Sequence, residues 1–573
     1  MPILPSVRHP HMPLWMLVGK NKCQLFDYYF NFTAQIPFRH NDKESMTGII
    51  NIKYKVIQPV FLVILLLLAG CEAMTNENFQ KINSLPVIEP DYINVTIPPN
   101  IAPLNFIVRE NGRRFFVVAE SEKGDYKIKI RSGNGKICFP MKKWRKLTRN
   151  SMGGRITVRI FLSGEQDKIT KEYQPFSFYV APEPVDSYLA YRLIYPGYYC
   201  WSNLRIVQRC VENFSEKSII ENQVLDMNCI NCHSFCNNRP DRFMVHVRGS
   251  KGGTYVVSDG KIERKDLKID PMPGSATYPS WHPSGKYIAF SSNQVRQTFY
   301  ANPSKSIEVF DLVSDLIIYN MEKNSITMVR DDDTTKYLET FPCWSDDGRY
   351  LYFCRAPQNV EEPWRDPEKM ELIKYSLVRV PFNPETGVYG KTEMVYDAAA
   401  EGKSVSFPRV SPDGNFIVFT LAAHGTFPIW HREADLYILN LQTGELKKMD
   451  INSEETESWH EWSSNGRWLV FSSKRLDGRS SRPFYVYFDS RGNTGKPFVL
   501  PQKDPERYIT MLESFNLPQP VNGKIKVDPR DFVVSSKSQS VRAIAENLAD
   551  SLPEWKKERA EMKRNPGERP IHE

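Results

Sequence analysis

The residues best suited to chemistry lie in the run DMNCINCHSF at 226–235, where Cys229-Ile230-Asn231-Cys232-His233 forms a C-x-x-C-H. On one helical turn, two thiols at that spacing can form thioethers to both vinyls of a haem. The adjacent imidazole of His233 then ligates the iron. The same residues can close a Cys229–Cys232 disulfide. They can also join Cys236 around a structural zinc, although C-x-x-C-H-x-x-C is cramped for a tetrahedral site. Haem c is therefore the expected cofactor, with the disulfide and zinc readings left open. A sixth ligand would set the role, since His or Met favours electron transfer and an open position favours small-molecule binding. Met272, in Pro271-Met272-Pro273, is the second axial candidate; Met244 and His246 lie nearer in sequence. All three suit core or strand packing equally well. Cys343 and Cys354 flank the Asp347-Gly348 turn, and Cys200 and Cys210 offer another pair, with buried free thiols as the alternative for all four.

A second chemical signal is VFLVILLLLAGC at Val60–Cys71. Its apolar centre, Phe61–Leu68, is far shorter than the roughly 20 residues of a spanning helix and has the size of a signal-peptide core. Lys53 and Lys55 supply the basic flank. Leu68-Ala69-Gly70-Cys71 resembles the bacterial lipobox. That resemblance implies cleavage before Cys71 and acylation of its sulfur and amine, a lipid anchor made stable by several chains. The organisation expected is then an over-extended stretch at 1–45, a lipoprotein signal peptide at 46–70 and a polar tether at 71–86. The mature chain would be held on the inner or outer membrane of a bacterial cell envelope, facing the periplasm, where disulfides are permitted.

These groups need elements to position them. From 87 to 183 short segments alternate: Tyr126, Ile128 and Ile130 against Lys127 and Lys129, and Ile156, Val158 and Ile160 against Thr157 and Arg159. Period-2 patterning predicts a half-buried antiparallel sheet set, most simply an Ig- or fibronectin-like β-sandwich. Residues 184–240 read as a linker carrying the C-x-x-C-H. Within it, the aromatic stretch SYLAYRLIYPGYYCW (187–201) suits packing at a domain junction better than a ligand wall.

The carboxyl-terminal half repeats. YPSWHPSGKYIAF (278–290), FPCWSDDGRYLYF (341–353), FPRVSPDGNFIVF (407–419) and WHEWSSNGRWLVF (459–471) align without gaps, their glycines 52 to 66 residues apart. Each glycine follows Ser, Asp or Asn and supplies the left-handed residue of a tight turn. The run after it is apolar at nearly every position, so it must be buried on both faces. A second hairpin follows, as in ADLYILNLQTGELKKM (434–449), giving four strands per unit, the unit of a propeller blade.

At these positions the chain resembles TolB-like six-bladed propellers, whose repeat carries this S-P-D-G turn and apolar strand. The fold class expected is all-β, a sandwich followed by a TolB-like β-propeller over 241–532. Four blades are explicit and Arg242–Ile269 supplies a fifth, while a sixth would have to be completed by the termini. Val541, Ala545 and Leu548 suggest a short helix before a charged tail, within 533–573.

Hydrophobic residues at 41% and charged residues at 25% exclude a disordered, collagenous or polytopic membrane chain. A net charge of +8 over 573 residues gives no argument for nucleic acid. No G-x-S-x-G, H-E-x-x-H or G-x-x-x-x-G-K-[ST] occurs, so no hydrolase or nucleotide-binding chemistry is expected and the chain reads as a non-enzyme. Resemblance to TolB-like proteins implies an envelope scaffold that binds a protein or glycan partner. The alternative is a periplasmic monohaem c-type cytochrome fused to a propeller.

Overall fold

The computed structural model describes residues 79–546 apart from 165–168, 196–202, 271, 303–304, 330–335 and 361–365. Cys71, Cys200 and Leu548 therefore lie outside the described residues.

The amino-terminal part builds two sheets. In the larger, Arg155–Ser163 pairs along one edge with Arg114–Ser121, and Arg114–Ser121 in turn pairs with Lys127–Ser132. Its other edge takes Phe176–Val180 and Ile169–Tyr173. A three-stranded sheet holds Ile88–Glu89, Phe106–Val108 and Lys136–Ile137. The alternation seen in the sequence is kept: Ile156, Val158 and Ile160 are buried while Arg155 and Arg159 are not. One element departs from expectation, a helix at Met141–Asn150 that buries Trp144, Leu147 and Thr148 and exposes most of its basic residues. Only two apolar side chains of MKKWRKLTRN face inward, too short a stripe to stand out in sequence.

The rest forms six four-stranded units among the described residues. Blade 2 runs outward from Cys229–Phe235 through Arg242–Arg248 and Gly253–Ser258 to Lys261–Asp266. Blade 3 starts at Ala276–Trp281, blade 4 at Tyr337–Trp344, blade 5 at Ser404–Val410 and blade 6 at Glu457–Trp462. Blade 1 is composite. Its outer strands Tyr188–Ile194, Arg205–Cys210 and Glu216–Glu221 precede all the others. Its inner strand Ser514–Val521 comes from the far end of the chain and pairs antiparallel with Tyr188–Ile194. The inner strands touch in sequence order, and Ser514–Val521 touches both Glu457–Trp462 and Cys229–Phe235, so the ring is closed. This is a six-bladed β-propeller.

Two expectations are corrected here. Residues 184–240 are not a linker, because they supply three strands of blade 1 and the inner strand of blade 2. Val541 and Ala545 lie in two short strands, Val541–Arg542 and Ile544–Ala545, added parallel to the outer edges of blades 2 and 3. The helix sits earlier, at Pro529–Lys537. There Asp528 and Asp531 form a reciprocal capping box and proline opens the first turn.

Both faces of each blade are dry. In blade 3, Ile288, Phe290, Ile317 and Tyr319 pack towards blade 2, whereas Tyr287, Ala289, Leu316 and Ile318 pack towards blade 4. The amino-terminal sheets share a core with blades 5, 6 and 1, into which Leu189, Tyr191 and Leu193 insert. Those three residues of the aromatic stretch lie at the junction, and its remainder from 196 to 201 is outside the described residues. Asp186 fixes the joint by accepting from the Ser464 amide (2.8 Å) and hydroxyl (2.6 Å).

Candidate functional site at the propeller axis

Every inner strand loses register at the same height. The interruptions fall at Tyr278-Pro279, Phe341-Pro342, Phe407-Pro408 and Trp459-His460, at Leu517-Pro518 of the composite blade, and at Asn231-Cys232 of blade 2. Tyr278, Phe341, Phe407, Trp459 and Leu517 all have positive φ, between 46° and 55°. Such backbone costs about 1–2 kcal/mol per residue, and a bulge re-aims the side chain it carries. Here the side chains converge on the axis. The rings of Tyr278 and Phe341 lie 4.6 Å apart and those of Phe341 and Phe407 4.1 Å apart. The cavity they bound, with Cys232, His233 and Leu517 closing the circle, measures about 40 Å³. That is room for only a few waters.

The C-x-x-C-H thus has a structural place that its spacing did not suggest: it is the inner strand of blade 2, and Cys232 and His233 look onto the axis. Burial pulls His233 down to about 3, with Arg192 adding to the effect, so the imidazole is neutral. A backbone contact with Leu517 opposes that shift without reversing it. Haem does not fit this arrangement. The motif is a strand and not a helical turn, and the space beside His233 is far below the several hundred Å³ of a cofactor pocket. Met272 packs between blades 2 and 3, in the same cluster as Met244 and Cys236, away from the axial lining. His246 is buried on the neighbouring strand with Nδ1 3.4 Å from Thr254 Oγ1. Cys229, Cys232 and Cys236, like Cys210, Cys343 and Cys354, carry free thiols. Cys343 and Cys354 are not directly opposed, since Cys343 pairs with Tyr352 and Cys354 with Thr340.

The two ends of the axis differ. At the end where the inner strands begin, blade 3 extends a long hairpin, Tyr287–Asn302 with Lys305–Asn320, past its own inner strand. It lies along the inner strand of blade 4 and reaches the loop Ala423–Ala434 of blade 5. At the opposite end lie the repeat turns, and between them opens a mouth of about 320 Å³ to which all six blades contribute. Its lining includes the exposed Asn237, Asp346, Pro412 and Ser464, the buried Trp281 and Pro520, and the Arg409–Glu461 ion pair at 2.9 Å. The size is at the lower bound of ligand sites. A larger cleft of about 680 Å³ runs between blades 2 and 3 beside the hairpin, lined by Arg248, Arg264, Lys268 and Asp266 among others.

Beneath the hairpin lies a group that the sequence reading missed. Glu308 comes from the hairpin, His424 and His431 from the blade-5 loop. Among the described residues, theirs are the only three metal-type donor atoms found within 4.8 Å of one another. Glu308 Oε2 is 2.8 Å from His431 Nε2, 3.8 Å from His424 Nε2 and 3.0 Å from Lys305 Nζ. On its other side His431 Nδ1 meets Glu433 Oε1 at 3.3 Å. Burial works against charge on His431, but hydrogen bonds to Glu308 and Glu433 outweigh it and hold the imidazole at about 9. Burial and the neighbouring His431 charge pull His424 down to about 4. The signal was present as His424-x₆-His431-x-Glu433, in a chain with ten histidines. Its carboxylate partner at 308 lies too far away in sequence to be associated with it.

No family model matches the chain, and no curated protein does. Among solved structures, prolyl oligopeptidase B from Galerina marginata is 13% identical over 52% of this chain, with a TM-score of 0.32. The chain covers only 41% of that enzyme. Tricorn protease is 10% identical over 71% of this chain and 48% of its own, with a TM-score of 0.29. The β-propeller domain of Myceliophteria thermophila Cps50 (Swd1) is 10% identical over 64% of this chain and 95% of its own, with a TM-score of 0.27. At such identities the likeness concerns fold alone. Fold and site together define the class, a closed six-bladed propeller with a plugged axis and one open mouth.

Proposed function

We propose that the protein is a lipid-anchored component of the bacterial cell envelope whose propeller is a non-catalytic scaffold, holding a protein or glycan partner at the mouth formed by the repeat turns. The observation that carries this reading is the asymmetry of the axis. The core is lined by aromatic rings, the blade-3 hairpin reaches over blades 4 and 5 at one end, and the other end presents a concavity lined by all six blades. A plugged axis favours binding at the surface over passage or enclosed chemistry. The anchor rests on the lipobox-like Leu68–Cys71 after its short apolar run.

The test is site-specific photo-crosslinking in cells. A photoreactive residue at Asn237, on the rim, should trap a discrete partner. The same residue at Lys323, between the two outer strands of blade 3, should not. Equal trapping at both positions, or at Lys323 alone, overturns the assignment of the mouth.

A further inference from the structure

We propose that Glu308, His424 and His431 form a binding site for one divalent first-row transition ion of the zinc class, which ties the blade-3 hairpin to the blade-5 loop. The donor set is two imidazoles and one carboxylate, the mixture such ions take from proteins, and the incoming ion displaces to solvent the Nε2 proton that His431 shares with Glu308. Two donors of a tetrahedral ion with bonds of about 2.1 Å lie about 3.4 Å apart. The measured separations from Glu308 Oε2, 2.8 Å to His431 Nε2 and 3.8 Å to His424 Nε2, fall on either side of that value.

The geometry is not that of a simple ion pair. One imidazole suffices to pair Glu308. A second imidazole nitrogen stands 3.8 Å from the same oxygen, beyond hydrogen-bond reach and suited to a shared ion. Glu308 is fully buried, and His431 and His424 are 3% and 8% exposed. Glu433 Oε1, at 3.3 Å from His431 Nδ1, occupies the position of the outer carboxylate that fixes tautomer and ring orientation in metal-binding histidines. Lys305 Nζ is the competing cation. Its side chain is 35% exposed, so it can turn to solvent when an ion takes its place beside Glu308. Three protein ligands leave a fourth position, on the Lys305 side, for water.

The experiment uses the full chain stripped with a chelator and titrated with Zn²⁺ in competition with a chromophoric chelator. One ion per chain is expected. Glu308→Gln and His431→Ala should each weaken binding by about 100-fold or more, and Glu433→Gln by about 10- to 100-fold. Replacing Cys229, Cys232 and Cys236 by serine should leave it unchanged. On the unaltered chain, Co²⁺ should give the intense visible absorption of a four-coordinate ion, a readout that holds even where a variant fails to fold. Affinity unchanged in folded Glu308 and His431 variants, loss of binding in the serine variant, or a pale six-coordinate Co²⁺ spectrum would each overturn the proposal.

Discussion

Gly348→Ala is the sharpest probe of blade stacking, because this repeat glycine has two separable duties. Its φ is +70°, and an alanine there costs about 1–2 kcal/mol in backbone strain. A Cβ would also lie 2.1 Å from His282 Nε2 and 2.5 Å from His282 Cε1, atoms of the neighbouring blade. That ring cannot easily yield. Its Nε2 lies 3.0 Å from Gly348 O, its Nδ1 2.7 Å from Ser284 Oγ, and it packs edge-on against Trp344 at 4.8 Å. Overpacking of this kind adds about 1–3 kcal/mol, so Gly348→Ala should destabilise by about 2–5 kcal/mol. Gly402 is the control. Its φ is +71° with nothing within 4 Å of a Cβ, and Gly402→Ala should cost only the strain, about 1–2 kcal/mol. In a His282→Ala background the Gly348→Ala step should fall to the same about 1–2 kcal/mol. The double-mutant coupling is then about 1–3 kcal/mol, measured by urea unfolding with fluorescence. Equal costs at 348 and 402 with zero coupling would refute the face-to-face contact of blades 3 and 4.

Three further outcomes are expected. Asp311 is buried, bonded to Asn293 (2.7 Å) and Tyr375 (3.1 Å), and burial lifts its carboxyl to about 6. The folded chain then keeps a proton that the unfolded chain has lost, so this residue's contribution to stability falls as pH rises from about 4 through 6. Asp311→Asn removes that loss, and its stability relative to wild type should improve by about 2 kcal/mol between pH 4 and pH 7 in urea titrations, whereas a pH-independent difference sinks the argument. Expression with a haem-attachment system should give no haem that stays with the denatured chain on a gel; retained haem lost in Cys232→Ser would mean that 229–235 is not the strand described. Cys71→Ala should release the protein from the membrane fraction, and unchanged processing and retention would remove the anchor from the account.

How much could be read in advance follows from how local each signal is. The four explicit repeats carry turn glycine, apolar strand and second hairpin within one short stretch, so blades 3 to 6 were legible. Blade 2 was half legible. Its outer strands at Arg242–Asp266 were seen, but its inner strand puts Asn231-Cys232 where blades 3, 4 and 5 put an aromatic and proline, and the cysteine spacing suggested a helical turn instead. Blade 1 was illegible because its partners Tyr188–Ile194 and Ser514–Val521 are over three hundred residues apart, and no local pattern encodes such a pairing. The site followed the same rule. The C-x-x-C-H was conspicuous yet serves the ring as a strand, while Glu308, His424 and His431 gather only because a hairpin of one blade reaches the loop of another.

Closure of the ring by the late strand is the claim on which the mouth and the plugged axis depend. Hydrogen exchange read by mass spectrometry tests it directly. Amides of 514–521 and 188–194 should exchange as slowly as those of 276–281, and all three should become labile together as urea is raised. Exchange of 514–521 at the rate of an unpaired segment, with 276–281 still protected, would contradict a closed propeller.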